Sequence, residues 1–340
     1  MKKVTIFKSA ILALLACVGI VACDKGADVV PDEPETYTVH LGWAGEILDV
    51  SYEPMATRAA TNDLYGIQVY SKPKSADDTT GWVPYAYGLF DDPNNITITL
   101  SSGYKYKFVA SMIKDGENRL YNNSTSDGYK VYDYPFIATL NNKFQYDVAK
   151  EMISLAWGKS YLREGNSCNI YDRPNIERFY GELSDYIPEE SNTNAKINMK
   201  RTSFGAKFVA GGRFAVDGKL MIQIDEAPKM ELALTEDADQ ISDIFSFMHI
   251  AKAWENNNYT EDISVNFIWV RADETEAPMG THTITFRRNT TTVVKVNIEK
   301  DGNDENLGID IDDSETGIMP DGEEVTITDG EVVDTEVGTN

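Results

Sequence analysis

Apolar and polar residues alternate with period two along most of this chain. Ile96-Thr-Ile-Thr-Leu100 alternates without a break, and after the turn Ser101-Ser-Gly103 the run Tyr104-Lys-Tyr-Lys-Phe-Val-Ala-Ser-Met112 alternates again. Successive side chains on an extended strand point to opposite faces, so runs of this kind form half-buried strands. The pair around the Ser-Ser-Gly turn is expected to form a hairpin. Tyr37 to Leu41 and Leu64 to Tyr70 precede it. Ala195 to Arg201, Phe204 to Ala210, Lys219 to Asp225, Ile263 to Val270, Thr281 to Phe286 and Thr291 to Ile298 form a second series. Many short strands with turns every ten or so residues make sandwiches, not a doubly wound sheet. One stretch, Asp237 to Trp254, reads as a helix because Ile241, Ile244, Phe245, Met248 and Ala251 fall near helical spacing. A short helix is also expected within 138–156, in the Asn- and Tyr-rich region that otherwise lacks a period.

The mainly β chain is therefore divided into an N-terminal β-sandwich domain (37–185) and a C-terminal one (186–300). An acidic segment (301–340) follows them. Its Leu307-Gly-Ile-Asp-Ile311 and Glu324-Val-Thr-Ile-Thr328 keep a weak strand alternation that a purely solvating tail would not need, alongside the reading of a disordered acidic extension. With 18 Tyr, 13 Phe and 5 Trp the chain has aromatic mass enough for its cores.

The other end carries a different signal. Lys2 and Lys3 precede the apolar run Ala10 to Ala22, which is too short for a bilayer span and stops at Cys23. That is a secretory signal peptide over 1–22. Ile20-Val21-Ala22-Cys23 resembles a bacterial lipobox, which makes Cys23 the lipidation site and places the mature protein on a membrane as a surface lipoprotein. Acyl chains at about 0.8 kcal/mol per buried methylene would make the anchor practically permanent. Residues 23–36 are acidic and Pro-bearing, as a flexible tether would be. The formal charge of −24 argues against nucleic acid or anionic lipid headgroups as partners. Of three cysteines, Cys17 would leave with the leader and Cys23 would be acylated. Cys168 is then alone, and no intramolecular disulfide can form.

Catalysis has little support. His40, His249 and His282 lie in separate elements without metal-ligand spacing, so no metal site and no cofactor are expected. No nucleophile elbow or phosphate-cradling loop occurs. Cys168 has no base beside it in Gly165-Asn-Ser-Cys-Asn169. Asp301 to Asp312 superficially matches a calcium loop, but Asn306 and Asp312 stand where that loop needs glycine and glutamate. Paired carboxylates for a glycosidase cannot be picked from 55 acidic residues. Trp43, Trp82, Trp157, Trp254 and Trp269 are candidates for sugar stacking, and a glycan-binding surface lipoprotein is the main alternative. Exposed coplanar aromatics would favour that alternative, and buried tryptophans a structural subunit.

Glu177-Arg-Phe-Tyr-Gly-Glu182, then Tyr186-Ile-Pro188, then Ile197-Asn-Met-Lys-Arg201 running into Phe204-Gly-Ala-Lys-Phe208, resembles the fimbrillin-like lipoproteins, structural subunits of type V pili. Pro54-Met-Ala-Thr-Arg58-Ala-Ala-Thr-Asn-Asp-Leu-Tyr-Gly-Ile67 resembles the family's maturation site. Thr283-Ile-Thr-Phe-Arg-Arg-Asn289 with Val293-Val-Lys-Val-Asn297 resembles its last strands. The resemblance implies tandem transthyretin-like sandwiches, location on the outer membrane or in a fimbrium, and cleavage between Arg58 and Ala59 by a trypsin-like protease. It further implies that residues 37–57 form a removable strand and that neighbouring pilin subunits join by strand addition. The donor would be 307–333, with Ile309, Ile311, Val325 and Ile327 as its apolar side chains.

Overall fold

Residues 34–48, 62–211, 218–234, 240–300 and 307–317 are described by a computed structural model of the protein. Strands dominate, as the alternation requires. In chain order the first are β1 (Thr36–Gly45), β2 (Leu64–Pro73), β3 (Val83–Phe90), β4 (Thr97–Ser101) and β5 (Tyr104–Ile113). A helical turn, α1 (Gly116–Arg119), leads into β6 (Asn122–Ser124), β7 (Lys130–Tyr132) and β8 (Ala138–Thr139), which form a small sheet of their own. The hairpin of β9 (Ser160–Glu164) and β10 (Ser167–Tyr171) follows, then β11 (Arg178–Tyr186) and β12 (Asn194–Arg201).

Seven of these strands form one sheet in the order β3-β2-β5-β11-β12-β1-β4. Its inner face supplies Val39, Leu41, Ile67, Val69, Ile98, Leu100, Phe108, Phe179 and Ile197 to a single core. Both end strands feed that core, so the sheet is rolled over itself. The right-handed twist of adjacent strands accumulates into such closure. Across the seam the Tyr85 hydroxyl of β3 donates to the Thr99 carbonyl of β4 at 3.0 Å.

The expected β4–β5 hairpin does not form. β4 pairs with β1, whereas β5 sits between β2 and β11. The Ser-Ser-Gly turn instead carries the chain across the core, so that Ile98 and Leu100 face Tyr106 and Phe108 through their side chains. Period-two alternation specifies a buried face, and two such faces can meet across a core as well as side by side.

The outer face of the same sheet is covered by the insertion 118–176. Phe136 and Leu155 lie over Gly66, where a Cβ would come within 2.3 Å of the Phe136 ring. Gln68 holds this cover by accepting from the Met152 amide at 2.8 Å. The short helix expected in 138–156 is a 3-10 turn, Ile153–Ala156.

The second strand series comprises β13 (Ser203–Gly211), β14 (Gly218–Ile224), β15 (Met230–Leu234), β16 (Gln240–Ser246), β17 (Thr260–Arg271), β18 (Glu276–Arg287), β19 (Thr290–Lys300) and β20 (Leu307–Gly317). Two four-stranded sheets, β16-β13-β19-β20 and β15-β14-β17-β18, face each other. Between them pack Phe204, Phe208, Phe245, Leu220, Ile222, Val265, Phe267 and Phe286. β12 pairs with β11 in the first sheet and β13 with β16 in the second series, so the change of sheet falls at Thr202.

The helix expected over Asp237 to Trp254 is interrupted by a strand, β16, over Gln240–Ser246. β16 pairs with β13, matching Ile241 to Phe208 and Phe245 to Phe204, and only α2 (Ile250–Glu255) is helical. Residues four apart share a side in both periodicities, so Ile241 and Phe245 satisfied either template. Pairing with β13 and stacking of Phe245 on Phe204 (5.7 Å) decided between them. α2 packs on the outer face of the first sheet, where Ile250 joins the core around Phe136 and Trp254 Nε1 donates to the Asn198 carbonyl at 3.2 Å. All described residues from Glu35 onward belong to one compact unit.

Candidate functional site

β1 is the element on which the implied maturation turns. It pairs in parallel with β12 (Leu41 opposite Ala195, Trp43 opposite Ile197) and antiparallel with β4 (Val39 opposite Ile98). Both of its edges are thus in ladders. Its alternate residues Val39, Leu41 and Trp43 are buried, and the Trp43 ring stacks on Tyr65 at 5.3 Å. The strand ends at Gly45, whose φ of 81° turns the chain into a 3-10 turn starting at Glu46.

Glu46 meets the second strand series at this point. Its carboxylate accepts two hydrogen bonds from Arg288, at 2.7 and 3.0 Å, and one from the Arg201 amide at 2.8 Å. Arg201 in turn donates to Glu177 at 2.8 Å and to the Asn289 side chain at 2.5 Å. The Arg288 and Arg201 side chains are almost fully enclosed. Burial would raise the Glu46 pKa, but the hydrogen bonds from Arg288 and Arg201 outweigh it and hold the carboxyl below the usual glutamate range.

A second knot centres on Arg178. It is wholly buried, and its guanidinium donates to Ser111 Oγ (2.8 Å) and to the carbonyls of Trp157 (2.7 Å) and Leu155 (3.0 Å). Its backbone amide donates to Ser203 Oγ at 2.8 Å. One residue therefore ties the first sheet to its covering insertion and to the start of the second series. Burial pushes the guanidinium pKa down to about 9. In the sequence Arg178 stands out only as part of a family-like stretch. Neither its burial nor the Glu46–Arg288 pair has a local signal.

Cys23, Arg58, Ala59, Val325 and Ile327 lie outside the described residues. Ile309 and Ile311 are in β20, which pairs antiparallel with β19 of the same chain, Ile309 opposite Ile298 and Ile311 opposite Val296. The expectation that the tail lies outside both strand series is thereby corrected for 307–317. Pairing with β19 satisfies one row of its backbone groups.

The three histidines are scattered over β1, the turn before α2, and β18. Among the described residues no group of three or more His, Cys, Asp or Glu is placed to hold a metal ion. Cys168 is half-buried on β10. Trp43 is buried and Trp82, Trp254 and Trp269 are half-buried, leaving Trp157, 51 % exposed, as the most open indole. One indole of five is buried, so the tryptophans by themselves do not select the structural subunit over the sugar-stacking alternative. No described helix is long and apolar enough to cross a membrane.

No protein-family model matches this chain, and no curated protein does. Solved structures do. The fimbrial anchor protein Mfa2 from Porphyromonas gingivalis is 7 % identical, with a TM-score of 0.37 over 84 % of this chain and 98 % of that one. The tip fimbrial protein Mfa3 from Porphyromonas gingivalis, with a C-terminal truncation, is 10 % identical, with a TM-score of 0.31 over 83 % and 100 % of the two chains. These neighbours are fimbrial proteins, the class that the sequence motifs resemble. At such identities and TM-scores the likeness assigns no role to any residue.

Proposed function

We propose that this protein is a structural, adhesive subunit of a cell-surface fimbrium, exported as an outer-membrane lipoprotein and joined to its neighbours by strand addition. The placement of β1 supports this reading most directly. It lies between two ladder edges, β12 and β4, and precedes the segment that bears Arg58. Withdrawal of such a strand leaves a parallel edge, an antiparallel edge and the pockets of Val39, Leu41 and Trp43. An extended segment with alternate apolar side chains refills that groove by β-augmentation. Residues 307–333 are the donor we propose, since β20 is held by one ladder at the margin of its sheet.

The reading is tested at Arg58. Brief trypsin treatment of the folded protein is expected to expose Ala59 as a new amino terminus, identified by mass, and the trimmed protein to assemble into larger species. A bond after Arg58 that resists trypsin, or trimmed protein that stays monomeric, would overturn maturation by strand removal.

Anchoring is tested separately. The Cys23→Ala variant is expected to leave the membrane fraction or to accumulate as an unprocessed precursor. Normal leader removal with unchanged membrane partition would refute the lipid anchor.

A further inference from the structure

The insertion and α2 cover the outer face of the seven-stranded sheet, but the cover stops short of one corner. There the exposed face of β2, β5 and β11 becomes the floor of a cleft enclosing about 340 Å³, at the small end of the roughly 300–1,000 Å³ typical of small-molecule sites. Tyr70, Lys107, Tyr180 and Glu182 stand on the floor, with Trp82 and Glu151 on the walls. Three adjacent strands fix the floor residues, so their relative positions are rigid.

The polar groups are oriented by one another. The Tyr70 hydroxyl donates to Glu151 at 2.7 Å, the Tyr180 hydroxyl donates to Glu182 at 2.5 Å, and Lys107 pairs with Glu182 at 2.6 Å. An ionised carboxylate offers about four acceptor positions, so both glutamates, which line the cleft, keep acceptor capacity beyond these bonds. Lys72 lies 4.7 Å over the Trp82 ring and steadies the indole from one side. Oriented carboxylates, an ammonium donor and aromatic rings around one small cleft match a sugar ring, which presents hydroxyl groups at its edge and apolar C–H bonds on its face. Two carboxylates against one lysine within the cleft, in a chain of net charge −24, disfavour an anionic sugar.

We infer that this cleft binds a neutral hexopyranose unit, its hydroxyls donating to Glu151 and Glu182 and accepting from Lys107, its apolar face against Trp82 and Tyr70. This goes beyond subunit assembly, because it concerns what the folded protein grips and not how copies join. The groove of β1 lies on the opposite, inner face of the same sheet, so loss of either activity leaves the other measurable.

The test is titration of the full chain with the methyl glycosides of glucose, galactose and mannose, and with methyl glucuronide, read by saturation-transfer NMR. At least one neutral glycoside is expected to saturate with a Kd of about 1–10 mM, and the glucuronide to bind more weakly. Trp82→Ala and the near-isosteric Glu151→Gln are each expected to weaken binding about tenfold or more, while Trp157→Ala leaves it unchanged. Glu151 is exposed at its rim, so its variant keeps the fold even if Trp82→Ala does not. Failure of every neutral glycoside to saturate, equal binding of the glucuronide, or binding that survives Glu151→Gln would overturn the assignment.

Discussion

Replacing Glu46 by alanine should lower the unfolding free energy by about 3 kcal/mol, measured by urea denaturation at neutral pH. Removing one member of a buried ion pair costs roughly 3–5 kcal/mol, because the remaining charge stays in a medium that does not solvate it. The lower end applies here, since the Glu46 side chain keeps 28 % exposure while that of Arg288 keeps 4 %. Arg288 would be left with the carbonyls of Arg201 and Asn257. The pH dependence has a definite sign. A carboxyl whose folded pKa lies below its unfolded value stabilises the fold above the usual glutamate range, and that contribution fades as pH falls through the folded value. The native protein should therefore lose stability in acid more steeply than Glu46→Gln. Equal acid slopes, or a loss under about 1 kcal/mol, would show that the pair is incidental. Glu46 also leaves with β1 in the proposed maturation. An intact β1 is then secured by its ion pair as well as its ladders, which opposes premature opening of the groove.

Arg178→Ala should be more damaging, with a loss of about 4 kcal/mol or more. The substitution opens a cavity and strands the buried carbonyl of Leu155 and the half-buried one of Trp157. Each unsatisfied buried acceptor costs about 1–3 kcal/mol. Arg178→Lys keeps the charge but not the planar fork, and should recover only part of the loss. Hydrogen exchange locates the effect. Amides of the insertion near 153–158 should lose protection before those of β14 and β17, which make no contact with the guanidinium. Uniform loss of protection would mean that Arg178 supports the whole unit and not the joint between sheet and insertion.

Other features had no trace in the local pattern. Glu46 and Arg288 are 242 residues apart, and nothing near either marks it as paired. The cleft under Trp82 draws on β2, β5 and β11, which are brought side by side only by the rolled sheet. Trp82 is visible as one of five sugar-stacking candidates and Glu182 only as the end of a family-like stretch, whereas Tyr70 and Glu151 have nothing to distinguish them among many tyrosines and acids.

The sequence by itself determined which segments are extended and which of their faces are buried. Alternation records the side on which each residue lies, and that is a property of the strand alone. It is legible in Ile96 to Leu100, where Ile98 and Leu100 are fully enclosed as the pattern requires. Tertiary structure decided which strands became neighbours. The Ser101-Ser-Gly103 turn serves a crossing over the core, β1 lies parallel to a strand about 150 residues further along, and Ile241 to Phe245 became strand because β13 offered an edge and Phe204 a partner. Backbone ladders carry almost no side-chain identity, so pairing follows from the fit of whole faces around a core, which no single window of sequence contains.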